Sequence, residues 1–397
     1  MVQEDLLLRY PLRIAIPAVS SRAWLGGFNY QLNLARSLAS HASDKINPVV
    51  FFGDDADDDD VAAFAASPDV EVVRDVSFSR QGQAVRQMRA LLLGLDIDAA
   101  KAFAARKIDI VFEPARFFGR CLKQPAIAWF PDFQHRRMPQ MFNRLARWRR
   151  EIGFRVQLRY DRTILLSSKD AQNDCENYYP QSKGKTRVLR FPAMIETKDL
   201  ASDPKLVLSQ YQIPDQFIYL PNQFWRHKNH AVVIEALGLL RRRGSDVRVV
   251  ATGNPSDPRD PVLFARLMGR LDELGATSMF QMLGIIPRSH VIALMQTCSA
   301  LINPSVCEGW STGVEEAKLL GVPMILSDIA VHREQAGKAA MYFDVNDAVA
   351  VADILAATSQ IIFDCPRALV GNAANIAQAF AAEFAEIASE AYERRRW

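Results

Sequence analysis

The chain has little of what marks a specialised class. Its five cysteines (Cys121, Cys175, Cys298, Cys307 and Cys365) are odd in number and scattered, with no C-x-x-C pair. That argues against a disulfide framework or a structural zinc site and for a reducing cytoplasm. No apolar run approaches the roughly 18 residues a spanning helix needs. Residues 1–9 lack the basic front and long apolar stretch of a signal peptide, so neither an integral membrane protein nor a secreted one is expected. Charge of one sign is missing too: 48 basic against 45 acidic groups leave +3, which gives no global case for nucleic acid. No repeat of 20–50 residues occurs, and low complexity is confined to Asp54, Asp55, Asp57, Asp58, Asp59 and Asp60.

What remains is a soluble globular composition, 49% hydrophobic and 23% charged, in 397 residues. One core seldom grows past about 250–300 residues, so two or three domains are expected. The dominant rhythm is a short β-branched apolar run, a turn, then a helix-period segment. Strands are expected at 12–17, 47–52, 70–73, 108–112, 126–130 and 163–167. In the second half they are expected at 217–220, 247–252, 280–283, 300–303, 324–327 and 341–343. Helices fill the gaps, as at 229–243, 261–274 and 289–297. Near-continuous apolar strands alternating with helices signal parallel sheets covered on both faces. The expected fold class is therefore α/β, two doubly wound Rossmann-like domains of six strands each, facing each other across a cleft. A hinge is read near 190–214, where periodicity lapses. The domains become 1–194 and 195–372, followed by a helix at 373–397 that completes the second or crosses back to the first.

In open α/β sheets ligands bind at the carboxyl ends of strands, and four segments there could carry chemistry. The richest runs from Asn303 through Pro304, Ser305, Glu308 and Glu316 to Gly321 and Pro323. Thr312 and Glu315 have capping-box spacing, which would start a helix at Gly313. The amides of Ser311, Thr312, Gly313 and Val314 would then form an anion site, with Glu316 in the first turn and Glu308 in the loop before it. The plainer alternative assigns Glu315 and Glu316 to dipole compensation. The second segment, Arg226-His227-Lys228-Asn229-His230, follows a strand and suits an anionic leaving group such as diphosphate. The third, Gly26-Gly27, lies between the first strand and a helix at 29–38 and would allow close backbone approach. It does not match G-x-G-x-x-G, which disfavours a dinucleotide-dependent dehydrogenase. The fourth, Asp132 with His135, could orient or deprotonate an acceptor hydroxyl.

The run from Ile285 to Glu334 resembles the nucleotide-sugar-binding half of the family-4 (group 1) glycosyltransferases of the GT-B fold. The resemblance rests on Pro304-Ser305, the glutamates Glu308 and Glu316 eight apart, Ala317, Gly321 and Pro323, then Ser327-Asp328. More weakly it extends to Gly26-Gly27 and the Lys228 region. It implies a retaining sugar transfer from a nucleotide diphosphate donor, GDP- or UDP-linked, to a glycan or lipid-linked acceptor, without a metal or other cofactor. Glu308 would face the donor sugar and Glu316 the ribose hydroxyls. Lys228 and the amides near Ser311, Thr312 and Gly313 would bind the diphosphate. Gly284, Ile285 and Ile286 would cradle the base. The family's usual arginine five residues before the lysine is Gln223 here, with Arg226 as the substitute. Its usual His-Asp pair reads Pro131-Asp132, with His135 in the histidine's place.

A D-x-D at Asp55 and Asp57 formally matches metal-dependent transferases but sits in the acidic loop. Residues 136–162 hold nine arginines against Glu151 and Asp161, with Phe142, Leu145, Trp148, Ile152 and Val156 at near-helical spacing. Such a stretch suits either a solvated helix or peripheral contact with anionic lipid, at the inner face of the membrane for a cytoplasmic enzyme. Surface polysaccharide or glycoconjugate assembly would fit the latter. Two other readings stay open at this level: an epimerase on the same fold, and a non-catalytic nucleotide-sugar-binding module.

Overall fold

Strands that read as apolar on both faces form two parallel sheets in the computed structural model, which describes residues 11–114, 116–360 and 373–395. Cys365, residues 1–9 and the last residues of the expected 195–372 and 373–397 segments lie outside these. The first sheet comprises β1 (Leu12–Pro17), β2 (Ile46–Phe52), β3 (Glu71–Arg74), β4 (Ile110–Pro114), β5 (Ala126–Phe130), β6 (Arg162–Leu166) and β7 (Thr186–Val188). Their order is β3-β2-β1-β4-β5-β6-β7. The second comprises β8 (Ile218–Leu220), β9 (Val249–Ala251), β10 (Phe280–Met282), β11 (Ala300–Asn303), β12 (Met324–Ser327) and β13 (Ala340–Phe343), in the order β10-β9-β8-β11-β12-β13.

Side chains alternate between the faces of each sheet, as the two-residue strand period requires. Leu12, Ile14 and Ile16 enter one core layer while Ala15 enters the opposite one. Ile218 and Leu220 likewise share one layer and Tyr219 takes the other. Helices cover both faces, which explains why the strands carry few polar residues.

Two expectations are corrected here. The first sheet has seven described strands rather than six, because Thr186–Val188 pairs with β6 through Ile164 opposite Thr186. Three residues with a central arginine carry too little apolar pattern to announce a strand. The stretch 190–214, within which the chain passes from one unit to the other at Phe191 and Pro192, is not irregular throughout: it holds a 3-10 turn, Thr197–Leu200, and a helix, Pro204–Tyr211. Asp203 caps that helix by accepting from Lys205 N, and Pro204 occupies its first position, a start signal that short helices give without visible periodicity.

Among the described residues the chain divides into two compact units. One takes the chain up to Phe133, Arg144–Phe191 and the C-terminal helix from Ala374; the other takes Gln134–Asn143 and Pro192–Ala373. The C-terminal helix, Ala373–Arg394, buries Phe380, Ala381, Phe384, Ala385 and Ala388 in the same layer as Leu12 and Ile14. Its i, i+3 and i+4 spacing places all five on one face. No described helix is long and apolar enough to cross a membrane.

Candidate active site

In the second sheet the strand order reverses between β8 and β11, and the crevice beyond their carboxyl ends is where such sheets bind ligands. Ala300 lies opposite Ile218 and Leu301 opposite Tyr219, so the loops leaving these strands start side by side. Val306 N donates to His227 O at 2.8 Å and ties loop to loop. Asn222 Nδ2 donates to Asn303 Oδ1 (3.0 Å), and Asn303 Nδ2 donates to Ser311 Oγ (3.0 Å). Gly253, after β9, closes the arrangement: a Cβ there would lie 2.6 Å from Asn222 O.

This framework brings Lys228 and Glu308 together across 80 residues of sequence. Lys228 Nζ lies 2.5 Å from Glu308 Oε1, with side chains only 16% and 8% exposed. Ser305 Oγ is 2.6 Å from the same Glu308 oxygen and 2.7 Å from Asn303 Oδ1. Its one proton goes to the charged acceptor, the stronger of the two. Burial raises the Glu308 pKa, but Lys228, His227 and the hydrogen bonds from Lys228 and Ser305 outweigh it and hold the carboxyl below its ordinary value. Glu308 is therefore an anion at neutral pH.

The helix Thr312–Leu320 starts one residue earlier than its capping-box spacing suggested. Ser311 is the N-cap, accepting from Val314 N at 3.4 Å. Ser311 N is itself committed to Gln335 Oε1 at 3.1 Å. The anion site foreseen from four amides therefore reduces to those of Thr312 and Gly313. Glu316 falls in the second turn rather than the first. Its carboxylate pairs with Arg288 Nη1 at 2.7 Å, and Arg288 Nε lies 3.9 Å from Asp199 Oδ2. Burial dominates at Glu316 and raises its pKa despite Arg288.

Of the remaining predicted residues, Gly284, Ile285 and Ile286 follow β10. Gly284 O accepts from Gly253 N at 2.9 Å, Ile285 is 77% exposed, and Ile286 packs on the core. Arg226 has its backbone amide on Asp257 Oδ2 at 3.1 Å while its side chain is exposed. The guanidinium held against this loop is instead that of Arg259. It donates to Asp257 Oδ1 (3.1 Å), lies 3.4 Å from His227 Nδ1, and stands 5.3 Å from the Trp225 ring centroid. His230, which opens the next helix, stacks on Phe224 at 4.0 Å; burial pushes its imidazole pKa down to about 3 and keeps it neutral.

In the first unit, Gly26 and Gly27 are not in a loop. They lie in the first turn of the helix Leu25–His41, and neither has positive φ. Gly27 is glycine for packing: a Cβ there would lie 2.3 Å from the Trp24 ring. That indole stacks on Trp129, which stacks on Tyr30. Asp132 pairs with Arg150 at 3.6 Å. His135 is fully buried in the short helix Gln134–Arg137, in the other compact unit from Asp132. The acidic cluster does structural work, Asp57 capping the helix Asp58–Ala65 and pairing with Arg22.

Residues 210–359 match the family model for glycosyl transferases group 1. The second compact unit carries a group 1 glycosyltransferase domain. No curated protein sequence matches the chain. Its fold is similar to that of a glycosyltransferase from Rickettsia africae (TM-score 0.63, 15% identity, 98% of this chain and 94% of that one). It is also similar to HepE from Anabaena, solved in complex with UDP and glucose (0.61, 15%, 96% and 95%). A third is sucrose-phosphate synthase from Thermosynechococcus elongatus (0.64, 15%, 96% and 95%). At these identities the likeness establishes the two-domain Rossmann-like GT-B fold.

Four residues of the glycosyltransferase domain escaped the sequence reading: Arg259, Arg288, His332 and Gln335. Each lies outside the two-glutamate run or in a polar loop, and only tertiary contact reveals it. The first-unit glycines give a direct test of packing. Gly27→Ala should destabilise by about 1–3 kcal/mol through overpacking against Trp24. Gly26→Ala, whose Cβ would sit 3.4 Å from Trp24 Nε1, should be neutral or stabilising because alanine favours helix. Thermal unfolding of both variants checks this, and equal melting temperatures would contradict it.

Proposed function

We propose that this glycosyltransferase moves a sugar from a GDP- or UDP-linked donor to a hydroxyl of a glycan or lipid-linked acceptor, with retention of anomeric configuration. The observation that carries the reading is the part-buried Lys228–Glu308 pair, with Glu308 in the loop that leads into the helix offering the Thr312 and Gly313 amides and the Arg288-held Glu316. In the reaction the bond from the anomeric carbon to the diphosphate oxygen breaks and a bond to the acceptor oxygen forms. The acceptor proton leaves with the nucleoside diphosphate or passes to a protein base.

Each group has a part in this chemistry. Lys228 has three donors and gives one to Glu308, leaving others for the diphosphate. With the Thr312 and Gly313 amides it meets the leaving-group charge, so no metal is required for that task. Arg226 and Arg259 are both within this loop system to assist. Glu308, ionised, faces the sugar and the positive charge that develops at the anomeric carbon. Glu316 accepts from the ribose hydroxyls, Gly284, Ile285 and Ile286 receive the base, and Ser311 shapes the helix start. Asp132 is proposed to orient the acceptor hydroxyl, whereas Gly27 is committed to packing on Trp24 and His135 is fully buried. The complex of HepE with UDP and glucose is consistent with a UDP-linked donor.

A thermal-shift panel of UDP, GDP, ADP and common nucleotide sugars tests the donor site. One nucleotide should stabilise the protein selectively, by about 2.7 kcal/mol at a hundredfold excess over Kd. Glu316→Ala should abolish the shift. Absence of stabilisation by any of them at millimolar concentration would overturn the assignment.

The helix Arg144–Arg159 buries Phe154, Gln157 and Leu158 yet leaves Leu145 and Trp148 more than 60% exposed among arginines. Aromatic and aliphatic side chains ringed by cations suit an anionic bilayer surface, where a cytoplasmic enzyme of surface polysaccharide or glycoconjugate assembly would meet a lipid-linked acceptor. Phosphatidylglycerol vesicles should retain the protein at low salt and release it at high salt, and they should fail to retain Trp148→Glu. Equal retention by neutral phosphatidylcholine vesicles would contradict the reading.

A further inference from the structure

The loop that carries Glu308 and Ser311 is backed by a short helix, Ala330–Ala336, from which two buried polar side chains reach it, Gln335 directly and His332 through Ser327. His332 and Gln335 are three apart and so lie on one helical face. Gln335 Oε1 accepts from Ser311 N at 3.1 Å, while its Nε2 donates to Ser311 O and to Glu315 Oε1, both at 3.0 Å. One amide thus holds both backbone polar groups of the N-cap and a carboxylate of the first turn.

His332 acts on the other end of the loop. Its Nδ1 lies 3.0 Å from both Ser327 Oγ and Ser327 O. The Ser327 hydroxyl gives its only proton to Ser305 O, 2.5 Å away. Nδ1 must therefore carry the ring hydrogen, and the neighbouring network assigns the tautomer. Burial pushes this imidazole pKa down, so the ring is neutral and Nε2 keeps its lone pair. Ser305, held by its carbonyl, then aims its hydroxyl at Glu308 Oε1. The order of hydrogen bonds runs His332, Ser327, Ser305, Glu308.

We infer that His332 and Gln335 are positioning residues for the donor site, His332 for the aim of Glu308 and Gln335 for the amides of Thr312 and Gly313. The inference rests on the donor-site reading above and divides the site into two separately supported parts. Losing His332 should impair the step at the sugar and spare nucleotide binding. Losing Gln335 should weaken nucleotide binding itself.

The test measures affinity for UDP and for GDP by calorimetry, and donor turnover with UDP-glucose and GDP-mannose, on the full chain. His332→Gln removes the donor at the Nδ1 position and should lower turnover about 10- to 100-fold, as small misplacements of reacting groups do. Its nucleotide affinity should stay that of wild type. His332→Asn restores an N–H near the Nδ1 position and should recover most of the lost turnover. Gln335→Leu should weaken nucleotide affinity about tenfold, the worth of one hydrogen bond to a charged group. Where Gln335→Leu fails to fold, Gln335→Glu keeps the acceptor for Ser311 N, loses the donor to Ser311 O, and should show the same direction. Binding and turnover falling together in proportion to the folded fraction, or neither changing, would overturn the inference alone. Wild type binding neither UDP nor GDP would bring down the donor-site reading and this inference with it.

Discussion

The ion pair between Lys228 and Glu308 is the constraint around which the second unit's functional edge is arranged. Two charges taken out of water cost several kcal/mol each, and attraction alone does not reliably repay this. Here the cost is offset by geometry: Ser305 donates to the same carboxylate oxygen, and His227 adds positive field. Removing one partner of a fully buried pair typically costs about 3–5 kcal/mol, and less for a part-buried pair such as this one, whose remaining charge keeps some contact with water. Both loops must therefore be held in register, and the Asn222–Asn303–Ser311 hydrogen bonds, the Val306–His227 bond and Gly253 do this.

Under the proposed function the pair has a defined task. A carboxylate kept ionised by a lysine offers negative charge at one point and spare ammonium protons beside it. Two uncommitted amides at a helix start lie in the same loop system. That combination suits a ligand with an anionic diphosphate on one side and a sugar that becomes cationic during reaction on the other. Glu316 is a different kind of carboxylate. Burial raises its pKa and Arg288 fixes its direction, which fits an acceptor of ribose hydroxyls better than a group that responds to developing charge.

Much of the fold was legible in the residues themselves. Strands such as Leu12–Pro17, Ala126–Phe130, Ala300–Asn303 and Met324–Ser327 could be read to the residue, because fully buried parallel strands write uninterrupted apolar runs between turn signals. The Glu308–Glu316 spacing likewise marked the loop after β11. What could not be read depends on packing between distant segments. Gly26-Gly27 looks like a ligand loop until Trp24 is seen lying on Gly27. Thr312 has the spacing of a cap, but Ser311 takes that role because Asn303 and Gln335 already hold it in place. Arg259 replaces Arg226 as the guanidinium held at the loop because Asp257 anchors it. The edge strand Thr186–Val188 had too few residues to declare a period.

The most direct test of the central claim is release of nucleoside diphosphate from a bound nucleotide sugar, followed by NMR for wild type and Glu308→Gln. The substitution keeps the shape of the side chain and removes its charge. Glu308→Gln should bind the nucleotide at least as tightly as wild type, because the ammonium of Lys228 it leaves unmatched can pair with the diphosphate, and should release the diphosphate at about one hundredth of the rate or less, the scale of losing one electrostatic stabiliser of a transition state. Release at the wild-type rate would contradict the account, because the Lys228–Glu308 pair would then serve stability alone.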